Sequence, residues 1–285
     1  MLQYKVRPVA AFCEQLFGEL QVIWVCSYHK DWLGQMSFNF LNQYCKFADT
    51  IEKTMYNGIK VIAFDADDTL WVNEPYFQET EKKLCALLED YLPHHSVSQE
   101  LFRTEMENLP LYGYGIKAML LCMIETISRV TEGHGTLKMV DEVIRLGREM
   151  MEHPIELLDD VEQVLKSLKG KYRLVVATKG DLLDQERKLR KSGLQDYFHH
   201  IEIMSDKKVA DYRKLIKHLD CAPEEFLMLG NSIKSDVLPV LELNAHAVHI
   251  PFHTTWAHEI HEGELEHANF RKLETIKDVL QYLPV

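Results

Sequence analysis

The fold is decided by the stretch Val61-Ile62-Ala63-Phe64-Asp65-Ala66-Asp67-Asp68-Thr69. It begins with an apolar, β-branched run that stops abruptly at acidic residues, as a buried parallel strand does. Runs of the same character recur at 174–177, 226–229 and 247–250, and helical patterns lie between them. This alternation predicts an α/β protein with a doubly wound, Rossmann-like parallel sheet.

One interval breaks the alternation. Residues 65–173 separate the first predicted strand from the second, which is far more than a crossover connection needs. Their patterns predict helices at about 79–92, 98–108, 116–130 and 137–151, with proline and glycine between them. We therefore predict a catalytic core made of 58–72 and 159–285, and a helical cap domain, 73–158, inserted after the first strand.

Residues 1–57 carry no motif, and we predict an N-terminal extension of unknown role with helix at about 9–23. A second methionine, Met55, stands just before the first core strand. Translation starting there and a docking extension are equally good explanations of this segment.

Composition excludes some partners. The chain has 32 basic and 44 acidic residues, a net charge of −12, without a long basic run, so a nucleic-acid polymer is not expected to bind. No apolar run reaches the length of a membrane span, and no export signal is recognisable. The six cysteines show no metal-type spacing, which favours reduced thiols and a cytoplasmic location. The oligomeric state is not indicated.

Asp65 and Asp67 follow the first strand, at the edge of the sheet where α/β proteins bind ligands. Two carboxylates one residue apart can divide the work of phosphoryl transfer. One attacks phosphorus, and the other protonates the leaving oxygen and then activates water. Acidic residues after a strand are also ordinary solvated turn formers.

Polar residues follow the later strands as well. Thr178, with Lys179 and Gly180, is suited to hold a phosphoryl group, although threonine there also caps helices. Lys207 or Lys208 can neutralise the transferred charge. Asn231 and Asp236 offer oxygen ligands to one hard cation, which predicts Mg²⁺, or else they cap a helix. The joint order of acid, hydroxyl, lysine and acid favours a phosphoryl-transfer site.

Over about residues 58–253 the sequence resembles the haloacid dehalogenase superfamily, in its phosphatase branch with a C1-type helical cap. The motifs are D-x-D-x-T at Asp65, a strand-end Thr178, a lysine, and the G-N-S-x-x-x-D variant that ends at Asp236. The resemblance implies that Asp65 is the nucleophile and Asp67 the general acid/base. It implies that Asp65, the backbone carbonyl of Asp67 and Asp236 bind Mg²⁺.

The resemblance also implies that Thr178 holds the phosphoryl group and a lysine stabilises it. Lys207 is favoured, since Ser205-Asp206-Lys207 with Tyr212 resembles nucleotidase-like members, and Lys208 stays open. Asn231 stands where many members have aspartate, so its metal role is an open question. The second acid, Asp67, is missing from the name-giving dehalogenases and favours phosphate chemistry.

Substrate contacts are expected from Thr69, Lys179 and Gly180 on the phosphate side. Tyr112, Tyr114 and Lys117, which lie among glycines, are expected over the pocket. The leading hypothesis is a Mg²⁺-dependent phosphohydrolase of a small phosphorylated metabolite, such as a nucleotide or a sugar phosphate. A phosphotransferase or mutase with the same intermediate and a catalytically silent scaffold are the alternatives.

Overall fold

The computed structural model describes residues 56–284. The helix predicted at 9–23 and the question of Met55 lie outside the described residues. From Gly58 onward the chain makes one compact unit.

The core of this unit is a parallel sheet of six strands in the order β3-β2-β1-β4-β5-β6, which confirms the predicted doubly wound α/β fold. Two edge strands, β3 and β6, were not predicted. β3 is only partly buried and contains polar His200 and Glu202, and β6 has three residues, so neither shows an apolar run. The strands are β1 (Val61–Phe64), β2 (Arg173–Lys179), β3 (His200–Met204), β4 (Phe226–Gly230), β5 (His246–His249) and β6 (Phe270–Lys272).

Burial and register explain where the polar residues meet. All of β1 and β4 is buried, and β1 lies between β2 and β4. Phe64 pairs with Val176 on one side and with Leu229 on the other. The residues after these three strands therefore emerge at the same level along one edge of the sheet.

Between Glu74 and Glu152 the chain forms four helices, which we call the helical insertion. They have a core of their own, in which Leu84, Met123 and Val143 are fully buried. The helices are α1 (Glu74–Leu87), α2 (His94–Tyr112), α3 (Ile116–Val130) and α4 (Leu137–Glu152).

The predicted bounds of two helices were wrong. α1 runs from Glu74 to Leu87 rather than over 79–92. Its early start is allowed because Pro75 occupies the first turn, where a missing N–H breaks no helical bond. α2 is longer at both ends than the predicted 98–108, and Pro110 lies inside its last turn. A proline near the helix end removes a single hydrogen bond, which the rest of a helix of 19 residues tolerates.

The remaining helices flank the sheet. They are α5 (Val161–Leu168), α6 (Leu182–Ser192) and α7 (Val209–His218). After β4 the chain makes a π-helical turn, Ile233–Val237, that continues into the short helix α8 (Leu238–Leu241).

Within residues 56–284 no helix combines the length and the apolar character needed to cross a membrane.

Candidate active site

A cavity lies between the carboxyl ends of the strands and the helical insertion. Most residues that the sequence pointed to line it. From the core these are Asp65, Asp67, Thr178, Lys179, Gly180, Lys207, Asn231 and Asp236, and from the insertion Tyr112 and Tyr114.

Lys207 lies between two buried carboxylates at the floor of this cavity. Its Nζ donates to Oδ1 of Asp65 and, at 2.6 Å, to Oδ1 of Asp236. Lys207, Asp65 and Asp236 are 3%, 6% and 1% exposed. The side chain of Lys208 is 76% exposed and pairs with Asp206. The structure therefore places Lys207, and not Lys208, beside Asp65.

Burial and charge oppose each other in this group. Burial raises the pKa of Asp65, Lys207 opposes the shift, and Asp236 adds to it. Burial alone would lower the pKa of Lys207, but Asp236 and Asp65 outweigh it and raise that pKa above its ordinary value. Lys207 therefore remains a cation between the two acids.

Asp236 is fixed by its own loop. Its Oδ2 accepts a 3.0 Å hydrogen bond from the backbone N–H of Ser232, and the Tyr212 hydroxyl lies 3.4 Å from Oδ1. A Cβ atom at Gly230 would lie only 2.2 Å from Oδ2 of Asp236. Glycine at the end of β4 is therefore what lets this carboxylate sit against the strand.

Asp67 is held separately from Asp65, by three donors. Its Oδ1 accepts from Trp71 Nε1 at 2.7 Å and from Lys188 Nζ at 2.9 Å. Its Oδ2 accepts from Gln185 Nε2 at 2.7 Å. The two acids of the first motif thus have different partners, as two different chemical roles require.

Thr178 is 2% exposed and reaches the cavity from the end of β2. Thr69 is not in the cavity wall: its hydroxyl lies 3.2 Å from Oδ2 of Asp65 and 3.4 Å from Oδ1 of Asn231. Thr69 therefore orients the nucleophile candidate from behind, whereas the sequence suggested a substrate contact.

Lys179 is also bound to protein groups. Its Nζ pairs with Glu259, donates to Ser235 Oγ at 2.8 Å, and lies 4.2 Å from the centre of the Tyr114 ring. The Tyr114 hydroxyl lies 3.3 Å from Oδ1 of Asp206. Tyr114 therefore joins the helical insertion to the core at the cavity wall.

Lys117 is the predicted site residue that the structure does not bring to the others. It is outside the cavity wall, and its Nζ pairs with Asp181 at 2.9 Å. Its side chain is 52% exposed. Lys117 thus ties the start of α3 to the loop after β2, while Tyr112 lines the cavity and is half-exposed.

Comparison with known proteins identifies the family of this chain. The family model described as haloacid dehalogenase-like hydrolase matches residues 59–240. The chain belongs to this family of hydrolases. A solved haloacid dehalogenase-like hydrolase from Xanthomonas campestris is 33% identical, with a TM-score of 0.68 over 76% of this chain and 87% of that one.

Two more distant structures share the fold. The HAD-hydrolase YfnB from Bacillus subtilis, bound to magnesium, is 16% identical, with a TM-score of 0.53 over 80% of this chain and 99% of that one. The 2-haloacid dehalogenase from Pseudomonas syringae is 17% identical, with a TM-score of 0.51 over 79% and 97%. Among curated proteins none gives a significant match.

In this hydrolase the donor set at the floor of the cavity fits Mg²⁺. Within residues 56–284 no group of three or more His, Cys, Asp or Glu side chains is arranged to enclose a metal. Mg²⁺ does not need such a cage, because it commonly takes one or two carboxylates, with waters and a substrate phosphate as further ligands. Asp65 and Asp236 supply two buried carboxylates.

Sequence reasoning missed several residues that line the cavity of this hydrolase. Gln185 and Lys188 lie on α6, where they are 4% and 9% exposed, and Glu105 lies on the insertion. A signal for the first two exists in the sequence. Gln185, Lys188 and Leu189 share one face of α6, and polar residues on the buried face of a helix call for partners.

Asp68 has a local structural role. Its φ of 61° is in the left-handed region that glycine favours and aspartate tolerates. Its carboxylate accepts from the backbone N–H groups of Asn73, at 2.8 Å, and Glu74. Burial raises the pKa of Asp68 to about 7. Asp68 thus caps the start of α1 and anchors the insertion to the first motif.

Proposed function

We propose that this hydrolase is a Mg²⁺-dependent phosphohydrolase that cleaves a small phosphomonoester through an aspartyl-phosphate on Asp65. The observation that carries the proposal is the buried group of Asp65, Lys207 and Asp236 at the floor of a cavity that also contains Thr178. Such a floor offers a nucleophile, a counter-charge and a hydroxyl donor to one phosphoryl group.

The residues divide the reaction as follows. A carboxylate oxygen of Asp65 forms a bond to phosphorus while the bond to the leaving oxygen breaks, and Asp67 gives that oxygen a proton. In the second step Asp67 takes a proton from water, whose oxygen attacks phosphorus and releases Asp65. Thr178 donates to a phosphoryl oxygen, and Lys207 offsets the negative charge around Asp65.

Mg²⁺, when bound, would neutralise charge on the phosphoryl oxygens. Asp65, the backbone carbonyl of Asp67 and Asp236 would hold it.

The second acid favours a phosphomonoester over a haloacid. A halide leaves without a proton, whereas an alkoxide leaving group needs one. Asp67 lines the cavity and has hydrogen-bond partners different from those of Asp65, which supports it as the source of that proton. The neighbours include a dehalogenase, but at 17% identity it supports the fold alone.

The helical insertion would act as the cap that selects the leaving group. It contributes Phe77, Leu109 and Tyr112 to the cavity, and the core adds Trp256. Aromatic and aliphatic walls of this kind suit an organic leaving group such as a nucleoside or a sugar. A small phosphorylated metabolite is therefore the proposed substrate class.

The test is phosphate release by the purified protein from p-nitrophenyl phosphate and from a panel of nucleoside monophosphates and sugar phosphates. We expect release with Mg²⁺, none with EDTA, and none from Asp65→Asn, while Asp196→Asn, an exposed control, behaves as wild type. Absence of release across the panel, or full activity of Asp65→Asn, would reject the proposal.

A further inference from the structure

Both oxygens of the Asp67 carboxylate accept hydrogen bonds from protein donors. The three donors come from two places: Trp71 follows Asp67 in the same loop, and Gln185 and Lys188 lie on α6. A loop carboxylate with 22% of its side chain exposed would ordinarily rotate among several rotamers. Hydrogen bonds to both oxygens, from the loop and from α6, hold the Asp67 carboxylate in one orientation.

The amide of Gln185 can face Asp67 in only one way. Its Nε2 lies between two acceptors, Oδ2 of Asp67 at 2.7 Å and the backbone carbonyl of Lys179 at 3.2 Å. Inverting the amide would set its oxygen against both of them. Gln185 is 4% exposed, so bulk water does not compete for these contacts. The backbone carbonyl of Lys179, at the end of β2, therefore fixes the orientation of the Gln185 amide. The amide in turn fixes the position of Oδ2 of Asp67.

Lys188 binds Asp67 from the other side. Its Nζ lies 2.9 Å from Oδ1 of Asp67 and 2.7 Å from Oδ1 of Asn73, with Asp184 at 3.9 Å. The side chain is 11% exposed, which makes the contact a charge-assisted bond shielded from solvent. Asn73 immediately precedes α1, so Lys188 also joins the orientation of Asp67 to the base of the helical insertion.

We infer that Gln185 and Lys188 are positioning residues that hold Asp67 in the orientation from which it transfers a proton to the leaving oxygen. The inference rests on the proposed phosphohydrolase function. Proton transfer requires the donor and acceptor atoms to be within hydrogen-bond distance, so a small rotation of Asp67 removes its contribution. Gln185 and Lys188 act through Asp67 and give no atom to the reaction.

Leaving-group dependence separates this role from a structural one. Phenyl phosphate and p-nitrophenyl phosphate have nearly the same shape, but nitrophenolate leaves without a proton and phenolate depends on one. The measurement is kcat/KM for both esters, since this quantity reports the step in which the leaving group departs. The variants are Lys188→Met and Gln185→Glu, with Lys191→Met, exposed on the same helix, as the control.

We expect Lys188→Met and Gln185→Glu to lower kcat/KM for phenyl phosphate by roughly tenfold or more beyond their effect on p-nitrophenyl phosphate, since general acid catalysis contributes about 10²–10⁴-fold. Lys188→Arg should restore part of the loss. Lys191→Met should leave both values unchanged. Equal losses for the two esters in both variants, or no loss at all, would overturn the inference.

Asp67→Asn distinguishes this inference from the proposed function. A selective loss in Asp67→Asn that is absent from Lys188→Met and Gln185→Glu would reject the positioning role and leave the phosphohydrolase intact. Equal loss of the two esters in Asp67→Asn would reject Asp67 as the proton donor, and the inference with it. A wild-type protein without activity towards either ester would overturn both.

Discussion

Nζ of Lys207 lies 2.6 Å from Oδ1 of Asp236, on side chains that are 2% and 1% exposed. The same Nζ contacts Asp65, so one cation lies between two carboxylates, which together carry one negative charge more than it balances when both are ionised. Excess negative charge in a buried site is unfavourable unless another cation is nearby. The group is therefore suited to bind a divalent cation. Its charges lead to predictions for stability, activity and the Mg²⁺ requirement.

Replacing Lys207 should harm both folding and activity. Lys207→Met leaves two buried carboxylates without their shared partner, which costs on the order of 3–5 kcal/mol in the free energy of unfolding when metal is absent. Catalysis should fall by about 100-fold or more. Chemical denaturation with EDTA and steady-state kinetics with Mg²⁺ measure the two effects.

Lys208→Met is the matched control for that change. Lys208 is exposed and pairs with Asp206 at 2.8 Å, so stability and activity should stay close to wild type. A larger loss of activity in Lys208→Met than in Lys207→Met would contradict the assignment of the lysine.

Asp236→Asn should raise the concentration of Mg²⁺ needed for half-maximal activity by about tenfold or more, because a coordinating carboxylate also supplies charge to the ion. Added Mg²⁺ should restore part of the rate. Titration of activity against Mg²⁺ measures this, with Asp196→Asn as the exposed control. An unchanged Mg²⁺ requirement would show that Asp236 does not bind the ion.

Gly230→Ala tests the packing of the metal loop. Its Cβ would lie 2.2 Å from Oδ2 and 2.3 Å from Cγ of Asp236, so the carboxylate must move. We expect a destabilisation of about 1–3 kcal/mol from overpacking, together with a higher Mg²⁺ requirement. Gly58→Ala, where a Cβ would meet nothing within 4 Å, is the control for the change of residue. If Gly230→Ala needed no more Mg²⁺ than wild type, the loop would have moved to make room for the Cβ atom without displacing the Asp236 carboxylate, and the prediction would be wrong.

The acids of the insertion predict a pH dependence of stability. Burial raises the pKa of Glu74 from its ordinary 4.5 to about 8, and Asp68, Glu105 and Glu81 add to the shift. Between those values the folded state binds more protons than the unfolded state, so the free energy of unfolding falls as pH rises. Glu74→Gln should therefore unfold at a higher temperature than wild type at pH 9 and at nearly the same temperature at pH 5.

Thermal unfolding at several pH values measures this difference. Glu79→Gln, on the same helix, is the control. Glu79 is exposed, and its pKa is lowered by Lys83, so its replacement should bring no gain at high pH. A Glu74→Gln curve parallel to wild type across the range would show that Glu74 ionises freely in the folded protein.

Sequence reasoning located the residues that directly follow a buried strand. Asp65, Thr178 and Asp236 could be placed because β1, β2 and β4 are continuous apolar runs whose ends meet at one edge. The choice between Lys207 and Lys208 could not be made with certainty from spacing, since adjacent residues differ mainly in the direction of their side chains. The structure makes that choice through burial.

Other features depend on contacts that no local pattern reports. Gln185 and Lys188 meet Asp67 across 118 and 121 residues of sequence, and β3 and β6 owe their strand character to neighbours in the sheet. Lys117 was predicted at the substrate because it stands among glycines and tyrosines. In the structure it pairs with Asp181 instead, a tertiary contact that the local sequence does not indicate.

The most direct test of the central claim is detection of a phosphoryl group on Asp65. Protein mixed with substrate and Mg²⁺, quenched in acid and digested, can be read by mass spectrometry. We predict a phosphorylated peptide with the modification on Asp65, more of it in Asp67→Asn because water attack is slowed, and none in Asp65→Asn. Phosphate release by the wild-type protein and by Asp65→Asn alike, with Asp65 unmodified, would contradict the account.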